Sequence, residues 1–131
     1  MKNLLGVFII LSTIVSFSVQ ATEGFEPYLS CLITSDGVNP HIPRKFEAYI
    51  NYEQKNWLLV YNVAGVPIDE MKRIATGDIY QNKQTKELTT GSFFFEDGSN
   101  LQIDFRTGKS ESDNVLFSAL ERAELKNCQL L

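Results

Sequence analysis

The chain has 131 residues, 44% of them hydrophobic, which suits one domain of ordinary size around one core. Twelve basic residues against 16 acidic ones give a net charge of −4, and that balance speaks against a nucleic-acid partner, because binding phosphates needs a basic surface. The basic pairs Arg44-Lys45 and Lys72-Arg73 each lie near acids, Glu47 and Asp69-Glu70, and read as a solvated mixed surface.

The N-terminus reads as an address. Lys2 precedes an apolar run from Leu4 to Val19, and Val19-Gln20-Ala21 places small residues where a signal peptidase reads them, so residues 1–21 are predicted to be an export signal cleaved after Ala21. A comfortable membrane span needs about 20 apolar residues, more than this run supplies, so no membrane span is expected in the mature chain. Removing 21 residues leaves one exported domain, 22–131, of 110 residues. It keeps 11 basic and 16 acidic residues, a net charge of −5. The expected location is the periplasm or the exterior.

Strand-like periodicity follows. Tyr28 to Ser35 reads as a first strand ended by Asp36-Gly37, and Pro40 and Pro43 bracket a loop that carries His41, the only histidine. Phe46 to Val63 reads as a hairpin turning at Glu53-Gln54-Lys55-Asn56, which pairs Tyr52 with Trp57, Ile50 with Leu59, Ala48 with Tyr61 and Phe46 with Val63 on one face. The other face pairs Glu47 with Asn62, Tyr49 with Val60 and Asn51 with Leu58, mixed enough to meet water or a partner. Past the break at Gly65-Val66-Pro67, Met71 to Gln81 and Lys86 to Gly91 read as strands joined at Asn82 to Thr85. Asp97-Gly98 announces a second hairpin. Its two-residue turn would pair Phe94 with Leu101, whereas a three-residue loop with Gly98 left-handed pairs Phe93 with Leu101 and Gly91 with Ile103. The second sorts apolar from polar residues better and is preferred. Phe93-Phe94-Phe95 reads as buried on both faces. Asn114 to Lys126, rich in helix formers and capped by Asp113 or Asn114, predicts a C-terminal helix; the alternative is a strand from about Ala119 to Cys128 pairing with the strand of Cys31. The expected fold is mainly β, a small antiparallel sandwich or barrel of about seven strands.

Cys31 and Cys128 are the only cysteines, near the two ends of a domain expected in an oxidising compartment, and predict one disulfide. With both oxidised, the single histidine cannot complete a usual zinc set, and the acids lack calcium-loop spacing, so no metal or cofactor is expected. His41 has no nucleophile signature beside it. The remaining lead is aromatic: Tyr49, Tyr52 and Trp57 could form a partner-binding platform, although Trp57 and Tyr61 equally suit the core. The expected function is a non-catalytic exported module with a protein partner, such as an inhibitor or immunity protein against an envelope-directed enzyme or toxin. The alternative is an accessory or structural subunit of an envelope assembly, marked by a long unpaired edge or an apolar patch.

Overall fold

The computed structural model describes residues 24–34 and 43–131; the expected export signal and His41 lie outside the described residues. Eight strands form: β1 Glu26–Thr34, β2 Arg44–Asn51, β3 Asn56–Val63, β4 Lys72–Gln81, β5 Leu88–Phe95, β6 Asn100–Asp104, β7 Lys109–Ser112 and β8 Glu124–Leu130. All belong to one antiparallel sheet in the order β7-β6-β5-β4-β3-β2-β1-β8. Seven strands therefore follow one another as a meander, and β8 returns to pair with β1.

Alternation places one side of every long strand in a common core. Leu29, Cys31 and Ile33 of β1 meet Phe46 and Ala48 of β2, Trp57, Leu59 and Tyr61 of β3, Ala75 of β4, Phe93 and Phe95 of β5, Leu101 and Ile103 of β6, and Leu125 of β8. Strands lie about 4.8 Å apart, so the end strands of a flat eight-stranded sheet would be roughly 30 Å apart. Instead the two ends touch: Leu125 N donates to Gly108 O at 2.9 Å, and Lys109 Nζ lies 3.4 Å from Glu124 Oε1. The sheet must curl around its buried face, which is therefore concave. Gly108 permits the contact, since a Cβ there would lie 2.5 Å from Leu125 O and its φ is +79°.

The hairpin registers follow the patterning in one case and slip in the other. In β5–β6, Phe93 pairs with Leu101 and Gly91 with Ile103 across a three-residue turn in which Gly98 has φ +88°, as the sorting of apolar from polar residues favours. In β2–β3, Ile50 pairs with Trp57, Ala48 with Leu59 and Phe46 with Tyr61, a register displaced by two residues from the expected one. The turn comes one residue earlier because Asn51 makes it: its carbonyl accepts from Lys55 N at 2.8 Å and its Oδ1 from Gln54 N at 3.0 Å. A shift of two leaves every side chain of the two strands on its expected face, while Tyr52 passes from the expected pair with Trp57 into the turn.

The expected C-terminal helix over Asn114 to Lys126 is replaced by a 3-10 segment, Phe117–Arg122, followed by β8. Asn114 is nearly buried, and its Oδ1 accepts from Leu116 N and Phe117 N, which tightens the backbone into a turn. Phe117 and Leu120 then plug one end of the core, with the Phe117 ring stacked 5.4 Å from Phe95 and edge-on to Phe46 at 6.0 Å. Cys31 and Cys128 form the disulfide that ties β1 to β8, beside the irregularity where Asn127 has φ +53°. The strand alternative holds in its pairing with the strand of Cys31 but not in its bounds, since β8 begins at Glu124 rather than about Ala119 and runs to Leu130. No helix among the described residues is long and apolar enough to cross a membrane.

Candidate functional site

The outer, convex face is where the sheet departs from a simple polar exterior. Strand parity turns Tyr49 of β2, Leu58 and Val60 of β3, Ile74 of β4 and Phe94 of β5 outward. Tyr49 pairs with Leu58, and Leu58 with Ile74, so three of these side chains form one row across adjacent strands; Phe94, paired with Thr76, lies diagonal to Ile74. Leu58 and Val60 are buried, whereas Ile74 is 45% and Phe94 53% exposed. Phe94 is thus a correction to the reading of Phe93-Phe94-Phe95 as buried on both faces. Phe93 and Phe95 fill the core, and the intervening ring faces out.

Two grooves flank this stripe, and Ile74 lines both. The larger, about 590 Å³, runs past Leu58, Lys72, Arg73 and Asp97. The smaller, about 270 Å³, lies between Asn56, Thr76, Phe94 and Glu96. Their charged rim is organised. Lys72 Nζ is 3.0 Å from Asp69 Oδ1, an exposed pair of small energetic weight. Hydrogen bonds from the Ser99 hydroxyl and amide hold the Asp97 carboxyl below the usual carboxylate range, and the Arg73 charge adds to that. The Asp97 carboxylate therefore stays charged beside the apolar stripe at neutral pH.

At the other end of the stripe, burial raises the Tyr49 hydroxyl above its ordinary value of 10.0, and the nearby Glu47 raises it further. The folded state thus holds that proton more tightly than the unfolded chain. Its contribution to stability is full below pH 10 and is lost as pH rises through the folded value. In an alkaline absorbance titration, Tyr49→Phe should remove a late-titrating phenol and lessen the loss of stability above pH 10. An unchanged titration curve would contradict this environment.

Tyr49, Tyr52 and Trp57, the expected platform, are not brought together. Trp57 lies on the concave side, 4% exposed, with its Nε1 donating to Gly77 O at 2.8 Å and its ring edge-on to Tyr28 at 5.1 Å and Phe93 at 5.7 Å. It is a core residue. Tyr52 stands in the hairpin turn, 62% exposed, close enough to Tyr28 to raise that hydroxyl's pKa along with burial. Only Tyr49 belongs to the convex stripe. The stripe adds Leu58, Ile74 and Phe94; strand parity signals Leu58 and Phe94, each next to a residue expected to face inward, whereas no face is expected for Ile74. Among the described residues no group of three or more His, Cys, Asp or Glu side chains is placed to hold a metal ion.

In comparison with known proteins, the chain matches no family model, no curated relative and no solved structure.

Proposed function

We propose that the mature domain is a small exported, non-catalytic binding module that engages a protein partner through its convex face. The observation that carries this reading is the apolar stripe across β2 to β5, with Ile74 and Phe94 exposed beside grooves whose rim holds charges of both signs. A well-packed domain gains nothing on its own from presenting a phenyl ring and an isoleucine side by side to water, and such side chains anchor interfaces. The curl of the one sheet around its core, with its ends in contact at Gly108 and Leu125, supports this reading by presenting the stripe on the outer face. Export and an acidic balance suit an inhibitor or immunity protein whose target is a basic envelope-directed enzyme or toxin. The same apolar patch would serve a subunit of an envelope assembly, and stoichiometry separates the two.

The test compares capture of envelope proteins by the immobilised wild-type domain and by Phe94→Ser combined with Ile74→Ser. Both variants change exposed side chains, so the fold should survive, as circular dichroism will verify. A protein retained by the wild type and released by the double variant, in one-to-one ratio and more weakly as salt rises, is the expected result. Equal retention by both forms would remove the stripe from the function.

A further inference from the structure

The two end strands of the sheet leave a slot between them. β8 extends to Leu130, whereas β7 begins only at Lys109, and among the described residues Gly108 and Leu125 make the one backbone bond between these strands. From Lys126 onward β8 is paired on one side alone, with β1. Leu131 N–H is turned to Tyr28 O at 2.9 Å, so the alternation of an antiparallel ladder turns the N–H and C=O of Leu130 to the opposite, unpaired edge. That edge borders a cleft of about 530 Å³. Its lining comes from β8 on one side, with Leu125 and Leu130, and from Leu88 at the start of β5 and Phe105 in the β6–β7 turn on the other. Three charged residues line it, the cations Lys86 and Arg106 and the anion Glu87. Arg106 is paired with Asp104 at 3.1 Å, while Lys86 has no ion-pair partner among the described residues.

We propose that this slot is a second binding site, which takes an extended acidic peptide segment as a short strand added to β8. Unpaired main-chain groups select an extended backbone whatever its side chains, and the apolar lining gives every second side chain a place. The unpaired ammonium of Lys86 favours a carboxylate on the incoming segment. The site lies apart from the convex stripe, and it stands or falls independently of the role proposed for that face.

The probe is a labelled seven-residue peptide, matching β8 in length, of alternating valine and threonine with two glutamates. Anisotropy should show saturable binding below about 1 mM. Three changes should each weaken it about tenfold or more: N-methylation of alternate peptide amides, lysines in place of the glutamates, and the Lys86→Glu, Arg106→Glu double variant. Leu130→Pro, which removes an edge donor without touching the β1 ladder, should do the same in a domain whose circular dichroism is unchanged. No saturable binding would overturn the proposal. So would equal binding of the N-methylated peptide, which would mean an apolar pocket without strand addition. A dimer abolished by Leu130→Pro would assign the edge to a second copy and would also overturn it.

Discussion

Replacing Cys128 by Ser should lower the stability of the domain by about 2–5 kcal/mol, the range for losing a native disulfide from a small secreted domain. Two features put the effect in that range. The bridge joins residues 97 positions apart, so its absence releases a long loop in the unfolded chain. It also fastens β8, which among the described residues is held by a ladder to β1 interrupted beside Cys31 and by a single backbone bond to Gly108. The remaining Cys31 is buried and would pack as a small apolar side chain, so the loss comes from the staple itself. Denaturant unfolding of the oxidised wild type against Cys128→Ser measures it, and hydrogen exchange should show β8 loosening first. A midpoint unchanged by the substitution would mean that the sheet holds its ends without the bond.

Phe117→Ala should cost about 3–5 kcal/mol, as for a fully buried phenylalanine. Phe117 is wholly buried against Phe46 and Phe95, and no other ring can close that end of the core from the 3-10 segment. The neighbouring Val115 is 90% exposed, so Val115→Ala should change stability by no more than about 0.5 kcal/mol. Thermal unfolding of both variants separates a plug from a surface loop. Equal small effects would show that residues 114–123 merely cover the sheet.

Where sequence patterning carried far, it did so through parity. In β5–β6 the choice between two registers rested on which one gathered Phe93, Phe95, Leu101 and Ile103, and burying those four is what the fold requires. In β2–β3 the hydrophobic pattern puts the turn one residue late, because Asn51 caps the turn with its own side chain, yet the faces of the two strands are kept. The strand count differs for three reasons. Lys86 to Gly91 and the first arm of the second hairpin merge into the single strand β5; β7, Lys109 to Ser112, has no apolar alternation to reveal it, its inward residues being Ser110 and Ser112; and β8 forms where a helix is expected. The C-terminal segment shows tertiary structure overriding propensity. Its helix formers yield to a turn around Asn114, to the edge of β1 and to the covalent tie at Cys128. Of the residues proposed to bind, Tyr49 is legible from its place on the mixed face and Phe94 from the parity of Phe93 and Phe95, while Ile74 requires knowing that β4 lies between β3 and β5 in one sheet.

Whether the convex stripe is the partner-binding face is decided most directly by photo-crosslinking in the cell that makes the protein. A benzophenone-bearing phenylalanine replaces Phe94 in one form and Gln102, an exposed polar position on the same convex face, in another. The account predicts a discrete protein adduct from position 94 and none from position 102. Adducts of equal yield from both positions, or from neither, would contradict it.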